Sequence, residues 1–581
     1  MSPRSRITTE RDDPTPLTTS GIEKMDSSEK PTLQNVEDIS PTVSDEESQQ
    51  QGQVGNRRLL ALTAMAFLWT GSQIPLYLFG AIPPYIYADI GGSDRWTWMT
   101  LANILALAAV CPFVGSLSDL FGRRYIAIVG ASLVLLGMII ASTAQTMNTV
   151  IGGQVFAGAG AGINELTALA AASEIAPVSQ RGKYVGALVF TITPFCISAL
   201  YAQLIAAYSS WRYVGLLCAL WNFIGLVMTA AFYFPPPRID PNALSRREII
   251  KRMDLVGGFL SIVGLILFMA GMQWGGYMYP WTSVHVLVPL LLGAVFIILF
   301  VIWEARFAKF PMFPKRINKS PRILVLTLII TFVSGANFIS LIAFWPTQAY
   351  NVYGHDPLQV GLRALPIGVS LMVGAVVGLV LLSVFKGANR TIMIVSSVLM
   401  TAGCGAMAVG TVDNMYRLWG ILVLAGLGIG GIVVPASIIT MIVCPDDLIA
   451  TVAALTLSIR VVGGSIGYSI YYNIFLTKFT PYAIEYIGGT LVQANITSPA
   501  VIVEVIELTG AALPDQIKLI PGIAGNDALY DAVIRAGQEA YSASYRYVYL
   551  ASIAWGCVSI IASLFLGDIS AFMDDHVAVV L

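Results

Sequence analysis

Glu165 and Arg460 are the two charges in this chain that most need a reason, because each stands inside a long apolar run. Placing a charged side chain mid-span costs on the order of 2.5–3.5 kcal/mol on insertion scales, so such residues mark a functional path or a buried pair. Glu165 lies about eight residues, ~12 Å of helix, from the polar end of its run near Ser173. Arg460 lies about eleven residues, ~16 Å, into its own run, close to the middle. A desolvated carboxylate binds a proton more readily than one in water and responds to a nearby cation or ligand. Glu165 is therefore a candidate proton carrier and Arg460 a second coupling candidate; the alternative is a static pair that only fixes helix packing. Asp89, at the end of the first apolar run, is a further candidate protonation site, with a solvated loop acid as the alternative. No catalytic residue set emerges. The histidines are His285, His355 and His576, with no HExxH and no nucleophile motif. The six cysteines are scattered without CxxC spacing, so no metal site or cofactor is expected. No phosphate loop of the Gly-x-x-x-x-Gly-Lys type appears, which leaves ion gradients rather than ATP as the energy source.

The elements that must position these charges are membrane helices. With 56% hydrophobic residues, 12% charged residues and a mean hydropathy of +0.73 over 581 residues, the chain lies outside the soluble globular range. A net charge of −1 gives no footprint for nucleic acid. Apolar runs between polar or Gly/Pro breaks predict about 14 transmembrane helices, an all-α polytopic membrane protein. The first six start near Leu59, Thr97, Tyr125, Thr149, Lys183 and Trp211. The next eight start near Leu255, Val284, Ile323, Gln359, Thr391, Tyr416, Ile449 and Tyr547. Between the second and third runs lies a short charged turn, Gly115-Ser116-Leu117-Ser118-Asp119-Leu120-Phe121-Gly122-Arg123-Arg124. Basic residues cluster on the side of that turn, at 57–58, 123–124, 181–183, 238–252, 306–322 and 386–390. The opposite short loops hold only Arg95, Arg212, Arg363 and Arg417. By the positive-inside rule the turn is cytoplasmic, and an even span count puts both termini there. Residues 1–56 are polar and read as a disordered cytoplasmic tail, and 568–581 as a second one. The amphiphilic stretch 477–546 falls outside the cell, where Asn495-Ile496-Thr497 makes Asn495 a glycosylation candidate.

The glycine-acid-glycine-base-base order of the turn resembles the signature loop of the major facilitator superfamily. Further runs narrow the resemblance: Gly160-Ala161-Gly162-Ile163-Asn164-Glu165-Leu166-Thr167, Arg181-Gly182-Lys183-Tyr184, Ser210-Trp211-Arg212-Tyr213, Tyr233-Phe234-Pro235-Pro236-Pro237, Tyr545-Arg546-Tyr547-Val548-Tyr549-Leu550 and Asp574-Asp575-His576-Val577-Ala578. After residue 56 the chain is similar to the fungal fourteen-spanners of the drug:proton antiporter branch. It most resembles the trichothecene efflux pump family, related to the siderophore-iron transporters. The resemblance implies a major facilitator fold: a six-helix half at 57–234, a linker and inserted helix pair at 235–322, and a second half at 323–567. It implies that Gly115, Asp119, Gly122, Arg123 and Arg124 form a gating loop, Asp119 meeting the helix start near Pro445 and Asp446, with Glu174 and Arg181 joining the latch. It implies a substrate cavity for which Trp69, Gln73 and Tyr77 on the first span, and Asn337, Phe344 and Gln348 on the ninth, are candidates. The mix of aromatics and amides suits a large, mostly apolar solute. Two departures stand out. Gln154 follows Gly153 where the antiporters carry an arginine, and Thr193-Pro194-Phe195-Cys196-Ile197-Ser198 keeps only the proline of their fifth-span glycine run.

The function so implied is export of a toxin, drug or secondary metabolite by proton antiport with alternating access, by a protein that is not an enzyme. The alternatives are ferric-siderophore:proton symport and a non-transporting sensor. Its partners would be a small-molecule substrate, protons and the lipid bilayer, without nucleic acid, and it would act as a monomer. Location would be the plasma membrane, or else a vacuolar or vesicular one.

Overall fold

The computed structural model describes residues 42–93, 95–235, 254–276, 278–309, 311–313, 315–317 and 319–573. Side chains are described from residue 59 onward, those at 116, 119, 120, 315, 340 and 447 excepted. Most of the polar stretches 1–56 and 568–581 thus lies outside the described residues. Val54–Leu581 forms one compact unit, separate from Met1–Gln53.

Among the described residues of that unit the structure is almost entirely helical. A first group comprises α1 (Thr42–Gly80), α2 (Pro83–Ile90), α3 (Thr97–Phe121), α4 (Arg123–Ser142), α5 (Met147–Ile175), α6 (Arg181–Phe190), α7 (Ser198–Tyr208) and α8 (Arg212–Phe232). Two more, α9 (Leu255–Trp274) and α10 (Val284–Ile302), form a pair. A second group comprises α11 (Pro321–Tyr353), α12 (Pro357–Val384), α13 (Asn389–Ala406), α14 (Met415–Val433), α15 (Pro435–Ile442) and α16 (Ile449–Ala483). It closes with the short α17 (Gly489–Gln493), α18 (Pro499–Gly510) and α19 (Pro514–Ile517) and the long α20 (Asp527–Leu564). Thirteen helical stretches among the described residues are long and apolar enough to cross a membrane.

Apolarity alone predicts one more span, beginning near Lys183. That segment is two helices of 10 and 11 residues, α6 and α7, each short of the ~20 residues a span needs. A 3-10 turn at Thr193–Phe195 separates them. Pro194 supplies no backbone N–H to continue the ladder, and the Thr191 hydroxyl occupies the Leu188 carbonyl at 2.6 Å. Both helices pack on α12.

Small residues set the helix spacing. A Cβ on Gly158 of α5 would land on the Asn103 carbonyl of α3, and one on Gly335 of α11 on the Arg460 carbonyl of α16. Both helices that carry the intramembrane charges are therefore drawn tightly against their neighbours. The two groups meet along two seams, α3 against α16 and α6–α7 against α12, while α9 lies over α3 and α16. In the seam at the charged turn, a Cβ on Gly115 would stand 2.9 Å from Thr451 Cα. The apolar window of α5 is 83% buried and that of α10 only 17%, so α5 is central and α10 peripheral.

The last span also differs from expectation. Its helix starts at Asp527, with the Asn526 side chain accepting from Leu529 N at 3.1 Å, rather than near Tyr547. Tyr541, Tyr545 and Tyr549 are buried against the second group. An inward tyrosine face needs no lipid-facing hydropathy, so a hydropathy reading cuts the helix short.

Candidate functional site

Glu165 and Arg460, 295 residues apart in sequence, form an ion pair in the interior. Their side chains are 5% and 11% exposed, so little water screens the attraction. The small-residue face of α5 brings Glu165 inward, and the Gly335 contact brings Arg460 up to α11. On α1, Gln73 Nε2 donates to Glu165 Oε2 at 3.0 Å and to Ser72 Oγ at 3.0 Å, and the Tyr77 hydroxyl donates to Gln73 Oε1 at 3.4 Å. Arg460 also donates to the Val433 carbonyl at 3.4 Å. That carbonyl sits where Pro435 interrupts the α14–α15 helix. The result is one polar string from α1 through α5 to α16 and α14, crossing between the two helix groups.

The string forms part of the wall of a central cavity of ≈ 140 Å³. Trp69, Gln73 and Tyr77 line it together with Glu165 and Arg460; the rest of the wall is mostly apolar, including Leu169, Phe195 and Phe338. Cys196 also lines it. The ninth-span candidates divide differently. Asn337 is buried and accepts from the Tyr471 hydroxyl at 2.9 Å, and Gln348 accepts from the Tyr549 hydroxyl at 2.6 Å. Both amides are thus engaged in packing α11 against α16 and α20, away from the central cavity. Phe344 lines a second cavity, in an aromatic cluster with Tyr468, Tyr472 and Tyr545.

Asp89 is an exposed acid. It accepts from Trp211 Nε1 at 3.0 Å and from Arg212 at 2.6 Å. These hydrogen bonds, that of Trp211 foremost, hold its carboxyl below the usual carboxylate range. Such a group stays ionised near neutral pH, which does not suit a proton carrier.

At the charged turn, Gly122 takes φ +87°, the left-handed region glycine favours, and lets α4 follow α3 at once. Arg123 forms a buried ion pair with Glu174 of α5. Arg124 donates to the Ala230 carbonyl at 2.7 Å and stands 3.9 Å from the Phe234 ring centroid. These contacts of the two bases fall inside their own helix group. The Asp119 side chain lies outside the described residues. Arg181 makes contacts that cross the seam. It donates to Asp446 at 2.8 Å, to the Met441 carbonyl at 3.0 Å and to the Ser173 carbonyl at 3.1 Å, with 1% of its side chain exposed. Gln154, where an arginine was expected by resemblance, accepts from Asn103 at 3.0 Å in a buried amide pair. Asn495 is exposed between α17 and α18.

Two groups of membrane helices meeting over a central cavity, with a charge pair across it, define a major facilitator transporter. The architecture is similar to that of the proton:xylose symporter XylE (TM-score 0.51, 10% identity, 87% of this chain and 96% of that one). It is likewise similar to the human organic anion transporter MFSD10 (TM-score 0.50, 11% identity, 88% and 99%). The chain belongs to the fungal trichothecene efflux pump (TRI12) family, which matches residues 54–581. Among curated relatives, the trichothecene efflux pump TRI12 of Fusarium sporotrichioides is 25% identical over 85% of this chain and 83% of its own. The MFS-type transporter gkaD of Penicillium citrinum is 29% identical over 68% and 67%, and multidrug resistance protein 3 of Bacillus subtilis 26% over 83% and 90%. The family and fold are those of transporters, not enzymes.

Proposed function

We propose that the protein exports an uncharged or weakly charged, largely apolar toxin, drug or secondary metabolite in exchange for protons. One observation carries the reading: a buried carboxylate, Glu165, is paired across the helix groups with Arg460 in the wall of an apolar cavity. Taking the proton turns Glu165 neutral and removes the countercharge of Arg460. An unpaired buried guanidinium is costly, so protonation favours a form in which the groups part and water reaches Arg460. Deprotonation restores the attraction and with it the closed form. Proton occupancy and the closed pair thus exclude each other, which is the condition for coupling two movements to one conformational change. The cavity of ≈ 140 Å³ is below the ~300–1,000 Å³ of ordinary ligand sites, so loading a bulky solute requires that opening.

The names of the fungal efflux relatives support the export direction. Basic clusters on the side of the charged turn support a cytoplasmic turn and cytoplasmic termini, with α6–α7 counted as the fourteenth crossing. On that topology the Arg181 to Asp446 contact closes the inner face, the chain works as a monomer in the plasma membrane, and Asn495 carries a glycan outside. In vesicles with an interior pH dye, Glu165→Gln abolishes proton-coupled flux while the protein still folds. Normal coupled flux by that variant refutes the reading.

A further inference from the structure

A second cavity, ≈ 90 Å³, lies between α1 and α3 on one side and α11, α16 and α20 on the other. It touches the central one through Leu76, Gly80 and Ile342, which line both. Its far wall is aromatic. Phe344 stacks on Tyr468 at 5.2 Å between ring centroids, Tyr468 on Tyr472 at 5.8 Å, and Phe475 on Tyr545 at 4.7 Å. Offset ring faces of this kind are a platform for another flat apolar group. The roof is the end of α18, held by Tyr87, whose hydroxyl donates to the Ala511 carbonyl at 2.9 Å, and by Tyr541, whose hydroxyl donates to the Thr509 carbonyl at 3.0 Å.

Asn351 is 9% exposed and lines this cavity and two smaller neighbours of ≈ 60 and ≈ 30 Å³. Among the described residues its side-chain amide makes no hydrogen bond to the protein. The amide therefore opens onto the cavities rather than onto protein, and its donor and acceptor are available to whatever fills the junction of the three. The three cavities together are on the order of the ~150 Å³ that holds one benzene ring.

We propose that this junction is a second binding station for the transported solute, on the side of the protein opposite the charged turn. It takes a flat, mostly apolar ring system bearing a hydrogen-bonding oxygen that meets Asn351. The inference rests on the transport reading for the identity of the occupant, but the site itself is tested by binding alone. Because the cavity lies between the two helix groups, its volume changes as they move, and the solute passes from the string at Glu165 to the aromatic platform beneath α18.

The test is equilibrium dialysis of the purified full chain with tritiated acetophenone, a single flat neutral ring with a carbonyl, against blank micelles of the same detergent. Wild type binds two molecules per chain. Asn351→Leu, of similar volume, weakens one of them about tenfold, as loss of a buried hydrogen bond requires, and leaves the other unchanged. Tyr545→Ala weakens the same one, and Tyr545→Phe restores it. Trp69→Ala weakens only the other. One molecule per chain in wild type, Asn351→Leu binding as wild type does, or Trp69→Ala abolishing both overturns the proposal. Two-site binding with no flux in vesicles refutes the export reading and leaves the second station standing.

Discussion

Replacing Glu165 with Gln keeps the size of the side chain and an oxygen for Gln73 to bond, but leaves Arg460 inside without a countercharge. Removing one partner of a buried pair costs about 3–5 kcal/mol, and at ~1.4 kcal/mol per decade this shifts an equilibrium roughly 10²- to 3,000-fold. The pair joins α5 to α16 across the two helix groups, so the cost falls on the closed form; once the groups part, water solvates the guanidinium. If the open form holds about 0.1–10% of the wild-type population, its population rises by ~10- to 10³-fold before saturating. Cys196 in the cavity wall reports this directly. In a Cys557→Ser background, which removes the exposed thiol, alkylation of Cys196 by a soluble maleimide is followed by peptide mass spectrometry. Glu165→Gln accelerates it at least tenfold, and adding Arg460→Met brings the rate back toward the parent. A rate within threefold of the parent in the single variant shows that the pair does not hold the halves together, and the coupling argument built on it fails.

Arg181→Met lowers the thermal unfolding midpoint, by less than the ~3–5 kcal/mol of a fully buried pair because the Asp446 left behind is 38% exposed and water solvates it, and Arg181→Lys does not restore it because one ammonium cannot reach the three acceptors at once; rescue by Lys refutes the three-point account. Gly115→Val leaves folding intact but abolishes transport, since its Cβ would stand 2.9 Å from Thr451 Cα; undiminished flux shows that the α3–α16 seam never closes this tightly during the cycle. Asp89 is held below the usual carboxylate range, so its share of stability is present above the unfolded value near 3.9 and lost only as pH falls through the lower folded value. Asp89→Asn therefore leaves the pH profile of transport between 5 and 8 unaltered, and a shifted profile makes Asp89 a coupling group after all. Asn495→Gln collapses the glycosidase-sensitive mobility of the protein from its native host, whereas an unchanged pattern removes the glycan.

Much of this fold is legible from apolar runs alone, because each element must satisfy its own backbone in lipid and so announces itself by length. Where reading failed, the cause is local. The segment around Pro194 is as apolar as a span, and the missing N–H together with the Thr191 hydroxyl on the Leu188 carbonyl divides it into α6 and α7. The start of α20 is hidden because Tyr541 and Tyr545 face protein, where hydropathy has no say. At the site, the cost of intramembrane charge singles out Glu165 and Arg460 individually and admits a static pair between them. Placing them within bonding distance takes the packing at Gly158 and Gly335, which no one-dimensional pattern encodes. Asn337, Phe344 and Gln348 share a helical face, yet that face is divided between tyrosine hydroxyl partners and the second cavity. That Arg181 reaches Asp446 across the seam is likewise a matter of packing, which the pattern of basic residues does not encode.

The most direct test of proton-coupled export is to reconstitute the purified chain in vesicles with an interior pH dye and add trichothecene-like toxins, azoles and ferric siderophores in turn. Proton movement opposite to a toxin or drug, lost in Glu165→Gln, is the result this account requires. Protons moving together with a ferric siderophore, or solute flux indifferent to the proton gradient, contradicts it.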